Sequence, residues 1–188
     1  NWIQLADTSW YCDHKNCTHT EEEKKRTYII NNAEQLAGLA KLVNSGTSFN
    51  GKTVTLGESI DLERLNWTPI GKSGYTFKGT FNGSNKKISN LTINARFTSD
   101  VGLFGFTTEG TIKNLTVENA EITGYLDVGV VAGSPYTSKY ENITVTGCVK
   151  VNGYAYVGGV YSKNLYANAT NITVNCDSDS YVKANSEY

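Results

Sequence analysis

The sequence predicts an all-β fold, a right-handed parallel β-helix closed at its N-terminal end by one capping helix. Three observations carry this. A four-residue phrase returns four times, as Asn90-Leu91-Thr92-Ile93, Asn114-Leu115-Thr116-Val117, Asn142-Ile143-Thr144-Val145 and Asn171-Ile172-Thr173-Val174, with steps of 24, 28 and 29 residues between the asparagines. A second phrase falls between the copies: Val101-Gly102-Leu103-Phe104-Gly105, Val128-Gly129-Val130-Val131-Ala132-Gly133 and Val157-Gly158-Gly159-Val160. Self-similarity at this period marks a solenoid. Finally, no 3.6-residue apolar period appears after about residue 45, and the spacing between copies leaves room for short strands and turns but not for a crossover helix.

Within each phrase, apolar and polar residues alternate with the period of a strand that has one buried face. Each copy is therefore one coil, paired in parallel with the next at the roughly 4.8 Å spacing of neighbouring strands. Leu91, Leu115, Ile143 and Ile172 are expected to form one interior column, and Ile93, Val117, Val145 and Val174 the next. The four asparagines should stack as an amide ladder.

These phrases resemble the GLUG-type repeats of large bacterial surface proteins, also found beside immunoglobulin-A proteases. Val101 to Gly105 matches the Gly-Leu-aromatic-Gly core well, and Val128 to Gly133 and Val157 to Val160 match it loosely. Tyr28-Ile29-Ile30 onward and Trp67-Thr68-Pro69-Ile70-Gly71 look like the lead-in of adhesin-like proteins of gut anaerobes. The resemblance covers most of residues 27–175. It implies a pectin-lyase-like solenoid and a location at the bacterial cell surface or in the secreted fraction, more than it implies an activity.

The composition fits. A chain of 188 residues is a plausible single domain with enough length to bury a core. Its net charge of −1 gives no electrostatic case for nucleic acid or an anionic membrane. No apolar run approaches the length of a membrane-spanning helix. The chain contains no Met, and reads as a mature or excised fragment with further domains in the same protein.

Taken in order, residues 1–46 are a lead-in and the capping helix, and residues 47–188 the β-helix. Trp2, Ile3, Trp10 and Tyr11 can pack, and residues 21–26 are a solvated charge run. Tyr28 to Ile30 is a short strand. Asn32 starts the helix with Gln35 as capping-box partner. Ala33, Leu36, Ala37, Ala40 and Val43 form its apolar stripe, and Gly46 ends it. Such a helix just ahead of the repeats serves as a lid over the first coil. Residues 52–56 and 60–62 read as strands, residues 67–71 as a turn on Pro69, and residues 77–81 as a strand ending at Asn82-Gly83. The polar tail at 177–188 is no convincing cap, so the natural protein is expected either to continue or to fold this tail over the end.

Five constellations carry candidate chemistry. Cys12, His14, Cys17 and His19 lie within eight residues and have the ligand types of a zinc site. Their spacing is tighter than usual for zinc, and an oxidising compartment favours a Cys12–Cys17 disulfide. Cys148 and Cys176 fall in neighbouring coils at nearly the same station, close enough for a disulfide despite a one-residue offset. Eight N-x-S/T sequons occur, at Asn16, Asn66, Asn82, Asn90, Asn114, Asn142, Asn168 and Asn171. Those in the ladder read as structural. Tyr125 and Tyr154 each follow a Gly and precede Val-Gly by the same interval, which puts both rings at one outer station, with Tyr156 beside them. They are the candidate ligand-binding residues, although a purely structural aromatic pair fits the pattern too. Asp100 and Asp127 both precede Val-Gly, and as stacked carboxylates offer a minority calcium site.

No catalytic residue is assigned. A lyase needs a basic residue beside an acidic cluster, and the repeats contain one arginine, Arg96, and no histidine. A hydrolase needs two placed carboxylates, for which Asp100 and Asp127 are the candidates. The expectation is a non-enzymatic extracellular adhesion or scaffold module that needs no cofactor and binds a polysaccharide or a host surface or matrix protein. The alternative is a polysaccharide lyase or glycosidase of the β-helix class.

Overall fold

A computed structural model describes residues 27–163 and 166–185. Its strands run β1 (Thr27–Ile30), β2 (Thr53–Leu56), β3 (Ile60–Asp61), β4 (Thr80–Asn94), β5 (Phe104–Thr108), β6 (Thr111–Thr123), β7 (Leu126–Gly129), β8 (Ala132–Tyr136), β9 (Lys139–Gly153), β10 (Ala155–Gly158), β11 (Asn168–Cys176) and β12 (Tyr181–Ala184). One helix, α1 (Ala33–Asn44), interrupts them. The named strands pair in parallel, in the order β1-β2-β4-β6-β9-β11 along the main sheet. The small sheets β5-β8 and β7-β10 close the coils. This is the right-handed parallel β-helix with one helix that the repeats predict.

The coils turn at columns of left-handed backbone. Asn114, Asn142 and Asn171 have φ of 53°, 55° and 55°. Asn90, Asn119 and Gly147 mark a second corner, and Asp100, Asp127 and Tyr156 a third. Asn and Asp tolerate this region because their short polar side chains bond locally, whereas most side chains clash there. The repeated asparagine is thus a corner residue as well as a ladder residue. The ladder itself forms: Asn171 donates to Asn142 across 2.9 Å, Asn142 to Asn114 across 2.8 Å, and Asn114 to Asn82 across 3.0 Å.

The bottom of the ladder differs from expectation. Asn90 is not in it and donates instead to the Asp61 carboxylate at 2.9 Å. The register pairs Lys86 with Leu115 and Ile88 with Val117, while Leu91 meets Ala120 and Ile93 meets Ile122. The interior columns are therefore Leu115-Ile143-Ile172 and Ile60-Ile88-Val117-Val145-Val174. Leu91 and Ile93 belong one corner further along. Nor does a strand end at Asn82-Gly83: β4 runs through it with an irregularity that puts Ser84 and Asn85 in left-handed backbone.

The helix behaves as a lid. Asn32 Oδ1 accepts the Gln35 N–H at 2.9 Å, and Gln35 Oε1 accepts the Asn31 N–H at 2.7 Å, a reciprocal cap displaced by one residue from the usual box. Leu36, Leu39, Ala40 and Val43 are buried in the common core with Ile30, Phe49 and Val54. Ala33 and Ala37 are only half-buried. At the far end the Asn44 side chain donates to Pro69 O and accepts from Gly71 N, each at 3.0 Å, and so ties the lid to the turn below it. At the other end of the solenoid, β12 joins the last coil beside β9 and does not fold across it. Val174 and Val182, which continue interior columns, are about half exposed there.

The disulfide expected between Cys148 and Cys176 is absent, and both thiols are free. Cys176 lies opposite Gly147, not Cys148. Cys148 belongs to an irregularity between Glu118 and Ala120 of the partner strand, where its N–H donates to Asn119 Oδ1 at 2.9 Å. The offset visible in the sequence is thus retained in three dimensions. Burial pushes the Cys176 thiol above its ordinary value.

Candidate functional site

The outer station predicted for tyrosine exists. Tyr154 N–H donates to Tyr125 O at 2.7 Å, and Leu126 pairs with Ala155, so the two residues stack one coil apart. Their rings lie 5.3 Å apart at 22°, stacked, with 41% and 46% of each residue exposed. Because the rings turn their faces toward each other along the solenoid axis, they present edges and hydroxyls to solvent. The preceding glycines have an inward reason. A Cβ on Gly124 would meet Val128 Cγ2 at 2.7 Å, and one on Gly153 would meet Val157 Cγ2 at 2.8 Å. They let the corner close on interior valines, and the sequence-based idea that they bare the outer backbone is corrected accordingly.

Tyr156 is exposed close by and holds φ of 54°, an outlier for a bulky residue. It occupies the corner column where the coils below carry Asp100 and Asp127. Lys163 bridges this column: its Nζ lies 2.9 Å from Asp127 Oδ1 and 4.1 Å from the Tyr156 ring centre. Such a contact between an ammonium and a ring face stabilises by roughly 0.5–1 kcal/mol at an exposed site.

The two aspartates are neighbours, as expected, and each is engaged by a serine further along the chain. Ser134 Oγ donates to Asp100 Oδ1, and Ser162 Oγ donates to Asp127 Oδ1 at 3.3 Å. Burial, together with the neighbouring Asp127 charge, raises the Asp100 pKa above its ordinary value, against the lowering effect of the Ser134 bond. The donors around this pair are hydroxyls and an ammonium. Among the described residues no three His, Cys, Asp or Glu side chains converge as a metal set. Cys12, His14, Cys17 and His19 lie outside the described residues.

Sequence reasoning missed three contributors. Phe97 is 90% exposed and precedes Thr98, whose O accepts the Tyr125 N–H. It stands 28 residues before Tyr125, close to the repeat step, which was the available signal. Lys163 and the serines gave no such signal, because they reach the corner from the following segment. In the other direction, Tyr140 is fully buried, with its hydroxyl 2.7 Å from Thr107 Oγ1, and is core rather than surface.

No helix among the described residues is long and apolar enough to cross a membrane. No family model and no solved structure matches the chain. The chain is 36% identical over 138 residues to Halomucin of Haloquadratum walsbyi, a match covering 68% of this chain and 2% of that protein. It thus resembles a small portion of a very large relative.

Proposed function

We propose that this chain is a non-enzymatic module of an extracellular surface protein, of the GLUG-repeat kind, and that it binds a polysaccharide or a host surface or matrix protein along the Tyr125–Tyr154 face. The observation that carries this reading is the exposed stack of Tyr125 and Tyr154 with Tyr156 beside it and Phe97 one coil below. A solenoid offers the same chemistry once per coil, which suits a long ligand running along its axis. Tyrosine supplies a rigid apolar body and a hydroxyl that remains free to bond. The similarity to a very large protein named as a mucin supports a cell-surface setting. So does a corner cluster whose carboxylates are held by serines and a lysine.

The test is binding to arrays of glycans and to purified matrix proteins, with wild type and the Tyr125→Ala, Tyr154→Ala double variant. The reading expects a ligand that the double variant loses by about 2 kcal/mol or more, with its far-UV circular dichroism unchanged. Full binding by the variant, or its unfolding, makes the stack a structural brace. Release of product from uronate or neutral polysaccharides would replace this reading with the enzymatic one.

A further inference from the structure

A second site lies at the other end of the molecule, between the lid and the first coil. A cleft of about 560 Å³ separates α1 from residues 61–68. That volume lies within the roughly 300–1,000 Å³ of ordinary small-ligand pockets. Its helix wall is made of small side chains, Ala33, Ala37, Gly38 and Ala40. Leu62 and the buried Trp67 line the opposite side, and Leu65, 57% exposed, stands at the lip.

The cleft is a built feature. The Asn44 side chain stitches α1 to Pro69 and Gly71, and the Trp67 indole N–H donates to Leu103 O at 3.1 Å. Both walls are therefore anchored to the solenoid. Leu36, Leu39 and Val43 bury the core-facing side of the helix, so the alanine side that faces the cleft is not needed to hold the lid down.

The rim is charged, and unevenly so. Glu34, Asp61 and Glu63 stand against one cation, Lys41. Asp61 accepts the Glu63 N–H at 2.8 Å and the Asn90 amide at 2.9 Å, which fixes its carboxylate at the edge. Glu34 and Glu63 make no ion pair with any described residue. An apolar floor with an aromatic member, under a rim with two more carboxylates than cations, is complementary to one kind of ligand.

We infer that this cleft binds an alkylammonium group, an apolar chain ending in a positively charged nitrogen, with the chain against Ala37, Leu62 and Trp67 and the nitrogen among Glu34, Asp61 and Glu63. The apolar body is released from water against the floor. The nitrogen gains Coulomb attraction from the rim carboxylates. This site is separate from the tyrosine face and does not depend on it.

The test compares three probes of equal chain length, hexylammonium, hexan-1-ol and hexanoate, titrated into the protein and followed by proton–nitrogen NMR. Hexylammonium should shift the Trp67 indole N–H and the Gly38 amide saturably. Hexanol should bind at least about fivefold more weakly, the effect of one charge pair at the protein surface, and hexanoate more weakly still. Glu34→Gln with Glu63→Gln should bring hexylammonium down to the level of hexanol without changing hexanol itself. Ala37→Phe, which fills the cleft from an already half-exposed position, should remove binding while leaving the melting temperature in place. Equal affinity for hexanol and hexylammonium overturns the proposal, as does preference for hexanoate. Absence of saturable binding by all three, with the wild-type spectrum intact, also overturns it.

Discussion

Asn142 donates its side-chain amide to Asn114 across 2.8 Å, and both residues hold left-handed backbone at the same corner of successive coils. One residue type thus satisfies two demands. The corner needs a side chain that tolerates positive φ, and the stack needs one that can both donate and accept. A β-branched or aliphatic residue meets neither.

The first prediction follows from that double role. Asn114→Ala should lower stability by about 2 kcal/mol, summing left-handed strain of roughly 1 kcal/mol and the loss of partners for Asn82 and Asn142. Thr116→Ala, on the same strand and half-exposed, should cost under about 0.5 kcal/mol. Asn114→Gly should fall between them, because glycine relieves the strain but breaks the ladder. Urea midpoints of the three variants measure the order, and equal midpoints for the first two would rule out the ladder as a stabilising element.

Leu115 tests the corrected register. It is 1% exposed and sits beneath Ile143 and Ile172 in an interior column. Leu115→Asp places a carboxylate there without a partner, at a cost of several kcal/mol, comparable to the whole stability of a domain. Lys86, paired with Leu115 on the other side, is half-exposed and does not reach the column interior on backbone pairing alone. The expected result is loss of the cooperative melting transition at room temperature. An unchanged melting temperature would take Leu115 out of the core.

The class of fold was legible because a solenoid repeats its own instructions. Val-Gly and Asn-x-Thr phrases each return once per coil, and the capping signals at Asn32, Gln35 and Gly46 are local. What was not legible was register at the first coil. The step from Asn90 to Asn114 is 24 residues, shorter than the 28 and 29 that follow. Counting 29 from Asn90 leads to Asn119, its true neighbour, since Ser89 pairs with Glu118 and Leu91 with Ala120. Two corners of the same coil use the same residue for the same backbone reason, so the phrase alone does not say which corner it marks. Cys148 and Cys176 failed for a related reason: one extra residue beside Gly147 shifts a neighbour out of line. The tyrosine station was found because both rings lie in one short segment of each coil, whereas Lys163, Ser134 and Ser162 arrive from the segment after it.

Asp100 yields a pH prediction. Its pKa is raised in the folded protein above the ordinary 3.8, first by burial. The folded chain therefore holds this proton more tightly than the unfolded chain does. Its favourable contribution is complete below the unfolded value and is lost as pH rises through the folded one. Asn tolerates the same left-handed corner, so Asp100→Asn removes the titration and keeps the backbone. The variant should gain stability relative to wild type as pH is raised from about 3 to 7. Urea midpoints of both proteins across that range measure it. A difference constant with pH would mean that the Ser134 bond, which stabilises the carboxylate, offsets the burial completely.

Tyr156 carries the last prediction. The two coils below place aspartate at its corner, a residue suited to positive φ, and here a tyrosine holds φ of 54°. A bulky side chain in this region costs roughly 1–2 kcal/mol, while the Lys163 contact over its ring returns about 0.5–1 kcal/mol. The balance says that tyrosine is not the most stable choice at this position. Strain kept at an exposed aromatic residue points to use. Tyr156→Asn should raise stability by about 0.5–1 kcal/mol and at the same time weaken binding of whatever ligand the Tyr125–Tyr154 face takes. Both quantities can be read on one preparation, by urea denaturation and by the binding assay used for the double variant. A variant that is more stable and binds as well as wild type would separate Tyr156 from the binding face. A variant that is less stable would make the Lys163–Tyr156 contact the reason for the tyrosine, and the strain argument would fail.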